Sequence, residues 1–298
     1  EANAQPQRPD VKAELLVGGH DPDDPSTIWL GVRVKLGRGW KMYWRPPGDS
    51  GLPPEFDWSQ SKNLAQAETL WPAPKRMEIL GLETIGYAGD VVFPVKAQAS
   101  NPAAPSQISL ALVVYACSTI CVREDYTLTA AVSPAGNNPD KQELIGQWRA
   151  RVPTTSSDSL SITSTRLMDG SPSRLEARAR SREGFRAPDL FVESDPPVFG
   201  SKPRVEFDPD GAALFTVTFE GRSLDDLRGR SLRVTLVDGA AAVEAFSGPP
   251  APASAIAPLA TPRQSEDSSL WGMLAVALAG GFILNVLPCV LPALSLKL

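Results

Sequence analysis

The chain has 298 residues, 42% of them hydrophobic and 21% charged, which is enough to bury real cores in two ordinary domains with a further segment, and which excludes a disordered protein. A net charge of −5 gives no electrostatic basis for nucleic-acid binding. The local basic run Arg174, Arg178, Arg180, Arg182 and Arg186 reads as a solvated strand face.

At the start, Ala2-Asn3-Ala4 fits the small-x-small end of a cleaved secretory signal, which predicts an oxidising compartment such as the bacterial periplasm. Period-2 alternation then dominates. In residues 27–36, Ile28, Leu30, Val32, Val34 and Leu36 point one way and Trp29, Gly31, Arg33 and Lys35 the other, as in a half-buried strand. Further strands are predicted at 11–16, 40–44, 55–58, 91–96, 108–116 and 126–132, separated by turn clusters such as "RPPGDSGLPP" and "PAGNNPD". The acidic loop "GGHDPDDPST" reads as a solvated turn, since its prolines and spacing do not suit calcium. One helix is predicted, capped by Asn138, with Pro139 at its first position and Leu144, Ile145 and Trp148 on one face, ending near Arg151.

After "RVPTTSSDS" the strand pattern resumes at 160–167, 174–180, 190–193, 204–207, 212–219 and 231–237, with "DPDG" as a hairpin turn. Many short strands and one helix predict an all-β chain of two tandem immunoglobulin-like β-sandwiches, residues 1–153 and 154–247. Residues 248–269 form a Pro/Ala-rich tether. No charge occurs from Ser268 to Leu296, so 270–298 is expected to begin a transmembrane segment, with residues 1–269 outside.

Three cysteines remain: Cys117 and Cys121, spaced Cys-x-x-x-Cys in "VYACSTICVRED", and Cys289 within the apolar segment. The pair admits three readings. A structural staple closing so short a loop restrains little unfolded-chain entropy. Copper ligation would want a His and a Met where Asp125 and Leu128 stand, in a chain with one His and four Met. Thiol–disulfide exchange needs two thiols within bridging distance on an accessible loop, which a strand entering at Cys117 and leaving after Cys121 supplies at a sandwich edge. Arg123 favours a thiolate at Cys121, opposed by Glu124 and Asp125. Pro288 and Pro292 break the helix around Cys289 at membrane depth.

The stretches "YWRPPGDSGLPPEFDW", "WPAPKR", "GLETIGYAGDVVFPV" and "GGFILNVLPCVLPALSLKL", with the cysteine pair, resemble the DsbD and ScsB family of membrane thiol–disulfide interchange proteins, the second sandwich pointing to the ScsB-type branch. The resemblance implies a protein-disulfide reductase of the bacterial inner membrane, residues 1–269 periplasmic. In this family electrons pass from cytoplasmic thioredoxin through the membrane domain to a thioredoxin-like domain, then to the amino-terminal β domain and periplasmic disulfide proteins, ScsC-like ones among them. It implies Cys117, Cys121 and Cys289 as the redox cysteines, Cys121 carrying the mixed disulfide, with no cofactor and no metal. It also implies a cap loop at Glu78, Ile79 and Leu80, where the alternative is simple packing of Ile79 and Leu80 into the sandwich. DsbD itself separates its amino-terminal pair by more residues, so site geometry need not transfer. The alternative function is a periplasmic copper-binding or chaperone module using the pair as ligands.

Overall fold

The computed structural model describes residues 10–48, 51–79, 81–194, 197–198, 200–221, 224–227 and 229–247. The expected signal remnant, tether and transmembrane segment lie outside them. Among the described residues no helix is long and apolar enough to cross a membrane.

The first half forms β1 (Val11–His20), β2 (Thr27–Leu36), β3 (Lys41–Gly48), β4 (Glu55–Asp57), β5 (Leu64–Thr69), β6 (Lys75–Ile79), β7 (Leu82–Ala88), β8 (Asp90–Ala99), β9 (Ser106–Cys117), β10 (Cys121–Val132) and the helix α1 (Pro139–Arg149). Two antiparallel sheets face each other. One runs β1-β2-β8-β5 and the other β10-β9-β3-β7-β6, with β4 beside β9. β9 shows how alternation makes the core: Ile108, Leu110, Leu112, Val114 and Ala116 are buried against Ile28, Leu30, Val32, Met42, Trp44 and Phe93.

The outer face of β2 departs from the alternation expected of it, because Trp29 is buried and not solvated. The reason is α1, which lies over that sheet with Ile145 packed on Leu16 and Val92, while the Arg149 guanidinium stacks 3.6 Å above the Trp29 ring. Asn138 caps α1 by accepting from the Lys141 amide at 3.1 Å.

The second sandwich comprises β11 (Leu160–Met168), β12 (Ser173–Ser181), β13 (Pro188–Glu193), β14 (Arg204–Phe207), β15 (Ala212–Phe219), the short helix α2 (Leu224–Leu227), β16 (Leu232–Asp238) and β17 (Ala241–Ser247). Its sheets run β11-β12-β15-β14 and β13-β16-β17 around Leu175, Phe215, Val217, Phe219, Leu190 and Val234. Asp208–Gly211 turns β14 into β15, Gly211 at φ 80° donating to the Asp208 carbonyl at 3.0 Å. The basic run is a solvated face: Arg178 pairs with Asp208 at 3.1 Å, Arg180 with Asp210 at 2.6 Å and Arg186 with Glu183 at 3.1 Å.

The two cores meet. Phe191 of β13 belongs to the apolar cluster of the first sandwich and sits edge-on to Trp44, ring centroids 5.8 Å apart. Thr154 bridges to β17, its carbonyl accepting from Glu244 at 2.9 Å.

Candidate functional site

The hairpin of β9 and β10 ends with Cys117 opposite Cys121, the last pair in its register, and the two form a disulfide with Cα atoms 4.0 Å apart. Ser118, Thr119 and Ile120 turn the chain between them, the Ser118 amide donating to the Ile120 carbonyl at 2.8 Å. β10 is the edge of its sheet, so the two cysteines differ in environment: Cys117 is 1% exposed, whereas Cys121 is exposed. An incoming nucleophile can reach Cys121 and is kept from Cys117.

Three neighbours cover Cys117. Tyr43 of β3, itself buried, donates its hydroxyl to Cys117 Sγ at 3.1 Å and lies 3.8 Å from Cys121 Sγ. Ile79, 4% exposed at the end of β6, completes a small apolar cluster with Tyr43 and Cys117, against which Tyr115 packs. Tyr115 donates to Glu55 at 3.0 Å, and that hydrogen bond raises its hydroxyl pKa above the ordinary value. Gly51 lies against the Tyr43 ring so closely that a Cβ there would come 2.1 Å from Cζ, and its φ of 99° suits glycine alone. Lys41, opposite Cys117 in the β3–β9 register, donates to the Glu78 carbonyl and so ties β3 to the β6–β7 hairpin.

The cap-loop residues therefore fall as follows. Ile79 is in the Cys117 cluster, Glu78 is exposed with only its carbonyl engaged here, and Leu80 lies outside the described residues. Cys289 lies outside them as well. Arg123 is ion-paired with Asp125 at 2.7 Å on the exposed face of β10, which directs its charge to the carboxylate rather than to Cys121. Among the described residues no group of three or more His, Cys, Asp or Glu is arranged to hold a metal ion. Ile120 in the cysteine turn, Leu52 next to the glycine on Tyr43, and Leu82 opposite Ile79 in register are exposed apolar side chains.

Sequence reasoning missed Tyr43 as a neighbour of both sulfurs. The signal available was its place at the head of "YWRPPGDSGLPPEFDW".

An exposed cysteine bonded to a buried one, on the rim of an immunoglobulin-like sandwich, is the arrangement of a thiol–disulfide interchange module. Residues 17–133 match the family described as "Thiol:disulfide interchange protein DsbD, N-terminal", and residues 151–250 match a domain of unknown function, DUF8393. No curated protein sequence matches the chain. Among solved structures it is similar to the N-terminal periplasmic domain of ScsB from Proteus mirabilis, at 22% identity and a TM-score of 0.61 over 80% of this chain and 92% of that one. A match to the C-terminal domain of the Streptococcus pyogenes antigen I/II-family protein AspA has 7% identity and a TM-score of 0.15 over 78% and 97% of the two chains, and carries no argument. Residues 17–133 thus form a domain similar to the N-terminal domain of DsbD-type thiol:disulfide interchange proteins.

Proposed function

We propose that the chain is the periplasmic electron-relay module of a membrane protein-disulfide reductase, with residues 1–153 as the redox domain, 154–247 as a second sandwich, 248–269 as tether and 270–298 as the first membrane segment. The observation that carries the reading is the unequal exposure of the two bonded cysteines. A thiolate of a thioredoxin-like domain attacks Cys121 Sγ. The Cys117–Cys121 bond breaks, its electron pair leaves on Cys117 Sγ, and a mixed disulfide forms. The Tyr43 hydroxyl, 3.1 Å away, hydrogen-bonds the departing sulfur and so stabilises its negative charge. The partner's second thiol then attacks the mixed disulfide, releasing Cys121 and leaving the partner oxidised. The net transfer is two electrons and two protons to Cys117 and Cys121. The same steps in reverse reduce a periplasmic disulfide protein, thioredoxin-fold substrates of the ScsC kind included. Exposed Ile120, in the turn between the cysteines, is the apolar side chain that such a partner meets first.

Upstream, Cys289 is assigned to the membrane half of the relay, which draws on cytoplasmic thioredoxin. The anchor is the bacterial inner membrane.

Partner trapping tests the assignment. Cys117→Ser leaves Cys121 free with no resolving thiol, so it accumulates a dithiothreitol-reversible mixed disulfide with its partner, seen as a shifted band on a non-reducing gel. Cys121→Ser leaves only the buried sulfur and traps none. Trapping by Cys121→Ser alone would reverse the assignment.

A further inference from the structure

The two elements that touch the redox pair are also the two that the second sandwich grips. β3 brings Tyr43 to both sulfurs and, two residues later, Arg45 to Glu193 at the end of β13, Nη2 to Oε1 2.9 Å. β6 brings Ile79 to Cys117 and, three residues earlier, Arg76 to Asp189 of β13. The local sequence makes the first of these reaches possible. Between Tyr43↔Gly86 and Gly48↔Thr84 the β3–β7 ladder has residues 44–47 on one strand against Ile85 alone on the other, and this stretch includes Pro46 and Pro47, which have no amide hydrogen to donate.

Arg76 is the stronger tie. It forks onto the Asp189 carboxylate, Nε to Oδ2 2.9 Å and Nη2 to Oδ1 3.0 Å, and donates to the Leu190 carbonyl at 3.2 Å. Its Nη1 bonds Glu83 of β7, and its guanidinium lies 5.0 Å from the centre of the Phe191 ring. Burial pulls Arg76 down, but the hydrogen bond and charge of Asp189, with Glu83, outweigh it and hold the guanidinium above its ordinary pKa. Arg45 is left below its ordinary value, because burial there exceeds what Glu193 returns. A narrow cavity of about 20 Å³ lies beside Arg76 and Phe191, lined also by Glu83, Leu190 and Val217.

β6 is the last strand in the order of its sheet. A two-stranded hairpin at a sheet edge is marginal by itself, so the seating of its tip depends on what holds its base. We propose that the second sandwich is a brace for the redox pair: Asp189 fixes Arg76, and Arg76 thereby sets how firmly Ile79 at the tip of the β6–β7 hairpin covers Cys117. Arg76 is a positioning residue, acting on the sulfur through Ile79. The brace rests on the reading of Cys117 and Cys121 as an exchange pair, and it gives the second sandwich a function: it tunes how readily the reduced pair meets small oxidants without touching either sulfur.

The test uses the full 298-residue chain in detergent carrying Cys121→Ser, so that no neighbouring thiol displaces the adduct, reduced and then mixed with an aromatic disulfide, 5,5′-dithiobis(2-nitrobenzoate), with formation of the Cys117 mixed disulfide followed by mass spectrometry. Asp189→Ala is expected to speed modification at Cys117 by about tenfold, the effect of losing a charge-assisted pair from the cap's opening equilibrium. Arg76→Lys, which keeps the charge and loses the fork, is expected to speed it less, and Arg76→Asp with Asp189→Arg to bring the rate back toward wild type. Amide exchange in the β6–β7 hairpin should rise while that in β1, β2 and β8 does not. Asp189→Asn serves if the alanine variant fails to fold. Unchanged rates in folded variants, or a rise in exchange spread evenly over the first sandwich, overturn the brace. A wild-type pair that does not exchange at all overturns the redox reading itself, a result distinct from normal exchange indifferent to Asp189.

Discussion

Replacing Glu193 by Gln probes whether the second ion pair between the sandwiches attracts or merely specifies. The Glu193 side chain is 16% exposed and that of Arg45 23%, with Oε1 2.9 Å from Arg45 Nη2 and 3.9 Å from Arg233 Nε. Burial raises the Glu193 carboxyl above its ordinary 4.5 although Arg45 and Arg233 pull it down, and burial likewise lowers Arg45. Each partner thus loses more by leaving water than the other returns. Among the described residues Arg45 Nε has no hydrogen-bond partner, which agrees with that balance. Neutralising Glu193 withdraws its attraction for Arg45 but also removes its own burial cost, and the raised carboxyl shows the second to be the larger, so Glu193→Gln is expected to leave stability at neutral pH unchanged or higher, with Glu244 still 4.0 Å from Arg45. Replacing both, Arg45→Met with Glu193→Leu, removes both burial costs and is expected to be neutral or to stabilise by about 1–4 kcal/mol.

The pH dependence carries a definite sign. With the folded pKa above the unfolded one, the folded chain keeps a proton that the unfolded chain has released, from 4.5 upward. The stability this group contributes is complete below 4.5 and is lost as pH rises through the raised folded value. Urea unfolding across that range should show this slope in the wild type and lose it in Glu193→Gln. A loss of stability in Glu193→Gln at neutral pH, or a wild-type slope of opposite sign, would refute the desolvation argument.

Ile79→Ala removes apolar contact from a small cluster, so a loss of about 2 kcal/mol, the low end for such truncations, is expected in urea unfolding. A cap predicts faster reaction of the reduced thiols with a small oxidant in the folded variant, and a core residue predicts none. Gly86→Ala would place a Cβ 2.0 Å from the Met42 carbonyl oxygen and 2.9 Å from Tyr43 Cα, both backbone atoms. It is expected to cost about 1–3 kcal/mol by overpacking, measured as a lowered melting temperature, and to weaken the Tyr43 contact with Cys117, measured as a shifted reduction potential.

What could be read from the chain was whatever short-range periodicity encodes. β9 alternates cleanly because it presents one face to the core, β2 shows its apolar row although α1 covers its other face too, and α1 declares itself by Asn138, Pro139 and Ile145. β5, β6, β7 and β17 went unread: they are five to seven residues long, and β7 carries Gly86 in its interior. Contacts across the chain left no local mark either. Tyr43 meets Cys117 across 74 positions and Arg76 meets Asp189 across 113, and neither spacing has a period to detect. The stretch "YWRPPG" reads locally as a strand running into a turn, yet it belongs to one strand whose ladder is interrupted at residues 44–47. Its Tyr43 reaches the sulfurs, Trp44 meets Phe191 and Arg45 meets Glu193, so the irregularity that defeats pattern reading is what lets one strand serve the redox pair and the second sandwich at once.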